Sequence, residues 1–310
     1  MLAYYTKRSQ GEEFQEVSRP VQNGTWVDGS NLSDQEINEL IQTYELDANI
    51  VYDVRDRGEL PRVEFSGKEA YVFLRLPRLA KSGHVTALPL LCILKDTTFI
   101  TMSTGDTLAP QSVALSTIPI TTEQTESLLL GVIAGVIAQY EELMGHTARS
   151  ITDTASRLKT HEVTNKDFIH FVTVEDNLNT YHMNLDGTMA LVRRIRENKH
   201  DTLEDESLEA LEDIALHIQQ LVVSADSHAQ SVNSIRNAYS TIANNTLNQR
   251  MKTLTVFTVL ITLPNVFYGM YGMNVMLPFY KEPWAFSAIV GFTLALILLI
   301  YLIAKKLRIF

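Results

Sequence analysis

The chain has 310 residues, of which 45% are hydrophobic and 20% charged, and its formal net charge at pH 7 is −10. That acidic balance argues against a nucleic-acid partner, whose phosphates require a basic face, and suits a protein that handles cations. A single cysteine, Cys92, rules out an intrachain disulfide framework and fits a reducing compartment.

Met1 to Glu12 has no apolar core of useful length, so no signal peptide is expected. Up to about residue 121 the chain reads as short strands and helices. Val63-Glu-Phe, Tyr71-Val-Phe-Leu-Arg-Leu, Leu88 to Leu94 and Thr98 to Met102 are predicted strands, set apart by Gly58, Pro61, Gly67, Gly83 and Gly105. Ser33-Asp-Gln-Glu36 is a capping-box signature and predicts a helix running to about Tyr44. From about 122 helical spacing takes over, with helices expected over 122–160, 165–199 and from 204 onward. The apolar run Leu128 to Ala138 is too short to cross a bilayer, contains two glycines and is followed by Glu141 and Glu142. It is expected to be a buried helix of the water-soluble part.

The last of these helices carries two stripes. Leu208, Leu211, Ala215, Ile218, Val222, Ala225, Ala229 and Val232 alternate steps of three and four, the seam of a helix packed on other helices. A second, uncharged and mostly polar stripe runs Ser227, Gln230, Ser234, Asn237, Thr241, Asn244, Asn248, Met251, Thr255, Thr258, Thr262 and Asn265, then Gly269 and Gly272. The same rhythm continues into an apolar segment, Leu254 to Met273. That segment and Trp284 to Ala304 are free of charge and long enough to span a ~30 Å hydrocarbon layer. Thr and Asn turned toward lipid would waste hydrogen-bonding capacity, so the stripe is expected to meet water in a shared pore or other helices. Ser and Thr can also satisfy themselves on the carbonyl one turn back.

Arg250 and Lys252 precede the first span, and Lys305, Lys306 and Arg308 follow the second. Between the spans Lys281 is balanced by Glu282, so both termini are expected in the cytoplasm, with Val275 to Pro283 as a short external loop. No enzyme signature accompanies this. The eight histidines are scattered, and neither a phosphate-binding glycine loop nor a cysteine pair occurs.

Tyr271-Gly-Met-Asn274 at the outer end of the first of two C-terminal spans, the short loop and the basic Lys305-Lys-Leu-Arg tail resemble the CorA family of divalent-cation transporters. Pro61-Arg-Val-Glu64 and Asn248-Gln-Arg-Met-Lys252 extend the resemblance over the whole chain. It implies an α+β cytoplasmic domain followed by long helices and two C-terminal transmembrane helices, assembled as a funnel-shaped homopentamer in the cell membrane (inner or plasma). It implies transport of Mg²⁺, often with Co²⁺ and Ni²⁺, closure at high cytoplasmic Mg²⁺, and no organic cofactor. The expected organisation is an α/β domain to 121, a helical hairpin over 122–203, the cytoplasmic part of the pore helix over 204–252, spans over 253–274 and 284–304, the loop 275–283 and the tail 305–310.

Mg²⁺ parts with its waters reluctantly, so a filter for it should offer neutral oxygens to a water shell. Gly272, Met273 and Asn274 are the expected filter, with the Asn274 carbonyls as a ring and Gly269 and Gly272 allowing close approach and a sharp helix end. A left-handed turn at Asn274 is compatible with that role. Asn248, Met251, Leu254, Thr255, Thr258, Thr262, Asn265 and Gly269 are the expected pore lining, Leu254 as an apolar constriction. Pro264 should bend the first span. The resemblance also points to Asp53 and Asp213, by their intervals to the two cytoplasmic motifs, as a regulatory Mg²⁺ pair between subunits; Tyr52 stands where relatives often have a second acid. Met273 favours the Mg²⁺ branch. A Zn²⁺ transporter of the same fold and a membrane-anchored scaffold are the alternatives.

Overall fold

The computed structural model describes every residue except 11, 21–23, 115–117, 159–164, 198–204, 276–278, 280 and 307–310. Arg308, His161, His200 and part of the expected external loop lie outside the described residues. The chain divides into two units, Met1–Ile235 and Arg236–Phe310.

In the first unit the central strands are apolar on both sides because both faces of their sheet are covered. The seven-stranded sheet has the order β2-β1-β3-β7-β6-β5-β4, built from β1 (Leu2–Thr6), β2 (Gln15–Glu16), β3 (Thr25–Gly29), β4 (Arg62–Ser66), β5 (Glu69–Leu79), β6 (Val85–Lys95) and β7 (Thr98–Met102). Among the described residues β3 and β7 run parallel and the other pairs are antiparallel. Successive residues point to opposite faces. Trp26, Val72, Leu74, Leu90, Cys92 and Phe99 join one core, while Val27, Tyr71, Phe73, Leu91, Ile93 and Ile100 join the other. The second core is closed by α1 (Asp34–Thr43) and α2 (Ala48–Val51). The expected capping box is formed, with Ser33 accepting from the Glu36 N–H and Glu36 reaching back to the Ser33 N–H.

The first core is roofed by α3 (Pro110–Ala114), α4 (Thr125–Leu158), α5 (Asn165–Arg196) and the start of α6 (Asp205–Tyr271). Two of the three glycines of α4, those in its apolar run, are explained by packing. A Cβ on Gly131 would lie 2.3 Å from Ile120 Cδ1, and one on Gly135 would lie 2.4 Å from Leu108 Cδ2. The glycines let the chain around α3 press onto the helix. The apolar seam of α6 packs as its spacing predicts: Leu211, Ile218, Ala225 and Val232 are buried in this core, and Leu208, Ala215, Val222 and Ala229 rest against it.

By length and composition α4, α6 and α7 (Ala285–Lys306) could each cross a membrane among the described residues. The apolar window of α4 is 61% buried in the fold, whereas those of α6 and α7 are 0% and 6% buried. Bare apolar helices of this kind need lipid or other subunits. α4 is thus the buried helix expected from its short apolar run, and α6 and α7 carry the two uncharged segments.

Candidate functional site: the polar face of the C-terminal helices

In the second unit, α6 and α7 each have one half-buried seam. On α6 it comprises Thr253, Val256, Leu260, Leu263, Pro264 and Phe267; on α7 it comprises Ala285, Ile289, Val290, Thr293, Leu296, Ile297, Ile300 and Ala304. Phe267 meets Phe292 edge-on at 5.2 Å, and the Tyr268 hydroxyl lies 3.0 Å from Thr293 Oγ1. At ~100° per residue, the stripe Asn248, Met251, Thr255, Thr258, Thr262, Asn265 and Gly269 is centred roughly 160° around α6 from that seam. Leu254 falls at the edge of the stripe. All of these stripe residues, Leu254 and the three residues of Gly272-Met273-Asn274 are exposed in the single chain.

Two stripe threonines have already committed their protons. Thr255 Oγ1 donates to Met251 O at 2.8 Å, and Thr258 Oγ1 donates to Leu254 O at 2.9 Å. A hydroxyl has one proton and two lone pairs, so what remains for an outside partner is acceptor capacity alone. The α6 helix continues through Pro264 and ends at Tyr271, two residues short of the expected Met273. The Gly272 N–H donates to Tyr268 O (3.0 Å) and the Met273 N–H to Met270 O (3.2 Å), a tightened last turn. The left-handed turn considered for Asn274 is not formed. Among the described residues after α6, a positive backbone angle falls on Phe279 (φ 64°), whose ring packs on Trp284 at 5.2 Å. Since α6 already closes with a short-range hydrogen bond at Met273, it needs no left-handed residue to end it. Among the described residues of one chain, a Cβ on Gly269 would meet nothing within 4 Å, and one on Gly272 would lie 3.4 Å from Tyr268 O and 3.5 Å from Gly269 O.

The first unit holds the expected regulatory carboxylates. Asp53 lies in a 3₁₀ turn, Tyr52–Arg55, after α2. Its Oδ2 is 2.7 Å from Arg62 Nη2, and the same guanidinium binds Glu64 Oε1 at 2.7 Å and Glu59 Oε1 while stacking 4.5 Å over Phe73. Burial by itself would lower the Arg62 pKa; the hydrogen bonds it donates to Asp53, Glu59 and Glu64, with the Glu59 charge, outweigh it and raise the value. Pro61 abuts α5, where a Cβ on Gly187 would lie 3.1 Å from its ring. The Pro61-Arg62-Val63-Glu64 motif is therefore one ring against a helix, one cation among carboxylates and one core residue. Asp213 is exposed on α6 and borders a groove of about 580 Å³ that Glu142, Glu209, Ile137, Ile214 and His217 also line. Among the described residues no three His, Cys, Asp or Glu side chains gather as a metal site within one chain. Arg62 was not singled out from the sequence as a carboxylate partner, nor were Tyr268 and Thr293. A tyrosine and a threonine lying off the polar stripe, one in each apolar segment, were the available signal for that pair.

The family described as CorA-like Mg²⁺ transporter protein matches residues 21–306. Among solved structures, the complete CorA magnesium transporter from Methanocaldococcus jannaschii is similar with TM-score 0.81 and 16% identity, over 99% of this chain and 98% of that one. The full-length CmaX protein is similar with TM-score 0.70 and 12% identity, over 97% of both chains. The ZntB cytoplasmic domain from Vibrio parahaemolyticus RIMD 2210633 gives TM-score 0.60 and 9% identity, over 78% of this chain and 98% of that one. Comparison with curated proteins gives no match.

Proposed function

This chain belongs to the CorA-like Mg²⁺ transporter family, and we propose that it assembles as a homopentamer whose first spans enclose a pore for Mg²⁺, with Co²⁺ and Ni²⁺ as further cargo. Family members are membrane-embedded divalent-cation transporters and not enzymes. The observation that carries the reading is the exposed, acceptor-rich polar face opposite the α7 seam. The waters around Mg²⁺ point their hydrogens outward, so a wall that passes the ion with its shell must accept hydrogen bonds. Thr255 and Thr258 do so with their protons held by α6 itself. The carboxamide oxygens of Asn248 and Asn265 add acceptors, and Met251 and Leu254 narrow the inner stretch.

At the outer end Gly272, Met273 and Asn274 form the filter, a ring of Asn274 carbonyls binding the water shell weakly enough to release it. Exposed Arg250, Lys252, Lys305 and Lys306 flank the apolar segments and support a topology with both termini in the cytoplasm of a cell-membrane protein. Asp53 and Asp213 of neighbouring subunits form the regulatory Mg²⁺ pair. Arg62 engages only Oδ2 of Asp53, which leaves Oδ1 for a cation whose binding favours the closed assembly.

The deciding experiment is ion flux into proteoliposomes with Mg²⁺, Co²⁺, Ni²⁺ and Zn²⁺ in turn, with and without an imposed pH gradient. Mg²⁺ entry that the pH gradient leaves unchanged is the expected result. Zn²⁺ entry without Mg²⁺ entry replaces the cargo assignment, and no flux of any divalent cation overturns the pore.

A further inference from the structure

Thr293 is only 1% exposed on α7, the more apolar of the two C-terminal helices, whose apolar window has mean hydropathy 2.6. A hydroxyl there must be satisfied by protein, since hydrocarbon offers no partner. Thr293 Oγ1 donates to Val290 O at 2.9 Å. With its single proton spent, its 3.0 Å contact with the Tyr268 hydroxyl has one consistent polarity: Tyr268 donates and Thr293 accepts. One residue earlier on each helix, Phe267 and Phe292 meet edge-on.

The place of this clasp along α6 gives it a task. Pro264, one turn before Tyr268, has no N–H, so the helix lacks the hydrogen bond to Leu260 O. The outer turn is therefore tied less firmly to the rest of α6, and its direction depends on what else holds it. Tyr268 holds it twice: its side chain is fixed to α7, and its carbonyl accepts the Gly272 N–H at 3.0 Å. The hydrogen-bonded path runs from Thr293 through Tyr268 to the first residue of Gly272-Met273-Asn274.

We propose that Tyr268 and Thr293 are positioning residues, whose interhelical hydrogen bond makes α7 set the rotation of the outer turn of α6 and so the direction in which Gly272, Met273 and Asn274 leave it. The consequence for transport rests on the pore reading above; the positioning itself does not.

The test uses the full chain in right-side-out vesicles with Tyr268→Phe, Thr293→Val, the double variant and Thr293→Ser. Two readouts are taken. One is the labelling rate of Val275→Cys, in each background, by a membrane-impermeant thiol reagent; Cys92 is fully buried in β6, and burial pushes its thiol pKa up, so it stays silent. The other is the Mg²⁺ concentration that half-saturates uptake, kept apart from maximal uptake. An interhelical hydrogen bond of ordinary strength predicts that Tyr268→Phe and Thr293→Val each shift both readouts by roughly 3- to 15-fold. The double variant should shift them no further, because the bond is lost only once, and Thr293→Ser should match the parent. Parental values in both single variants, effects that multiply in the double variant, or a Thr293→Ser variant as impaired as Thr293→Val overturns the proposal. If the parent carries no divalent cation, the pore reading fails, while the labelling rates still decide the positioning.

Discussion

Arg62→Met should expose how strongly the first unit depends on one cation among three carboxylates. The guanidinium side chain is 28% exposed, while its partners Glu59, Glu64 and Asp53 are 13%, 41% and 45% exposed. The two outer pairs are screened by water and contribute about 0.2–1 kcal/mol each. Glu59 is the costly one. Removing the partner of a fully buried carboxylate costs about 3–5 kcal/mol, and partial exposure discounts this to roughly 1–3 kcal/mol. Methionine keeps the contact with Phe73, so the stacking loss is small. The sum is roughly 1.5–5 kcal/mol, or about 3–20 °C in apparent Tm for a unit of this size. The assay is thermal unfolding of the detergent-solubilised full chain at pH 7, with and without millimolar Mg²⁺. Mg²⁺ should recover more Tm in the variant than in the parent, because a cation can stand in for the lost guanidinium among the three carboxylates. A variant with the parental Tm, or a loss indifferent to Mg²⁺, would refute the reasoning.

Thr258→Leu or Thr262→Leu should block Mg²⁺ flux while assembly, read by native mass, stays intact; unchanged flux would move the stripe to helix packing. Asn274→Ala should abolish uptake without lowering Tm, and Asn274→Asp should bind the ion more tightly but conduct poorly. Asp53→Lys and Asp213→Lys should each flatten the dependence of flux and of protease resistance on cytoplasmic Mg²⁺; two parental curves would put the sensor elsewhere. Asp28, buried with Thr101 and Thr107 donating to it, has its pKa raised, chiefly by burial. Its linked stability is complete below about pH 3.9 and is lost as pH rises through the raised native value. The Tm of the parent should therefore gain on that of Asp28→Asn as pH falls through this window, and a constant difference between the two would contradict the burial effect.

Much of this architecture could be read directly from residue order. β7 occupies the expected Thr98 to Met102, and the long helices begin and end within a few residues of the expected limits, because seams of apolar residues at helical spacing leave little freedom. The strands β1, β2 and β3 were not read. In Thr25–Gly29 every residue is buried, including Asp28, so the alternation that reveals a half-buried strand is absent, and a glycine and an acid mimic a turn. Arg62 illustrates another limit. Its partners Glu59 and Glu64 are close in sequence, but Asp53 comes from the preceding 3₁₀ turn, and no local pattern joins the three. The Tyr268–Thr293 contact crosses between helices and depends on their rotation, which single-helix periodicity does not contain.

The internally bonded threonines of α6 bear on what such a wall withholds. Proton hopping along a surface needs groups that take a proton on one side and release one on the other. Thr255 and Thr258 have turned their protons to Met251 O and Leu254 O, and a carboxamide such as that of Asn248 or Asn265 keeps its N–H protons at neutral pH. In the proposed pore, Thr255 and Thr258 would therefore meet passing water as acceptors and relay no proton along the wall. At these two positions a hydrated divalent cation could pass without opening a hydroxyl path for protons beside it.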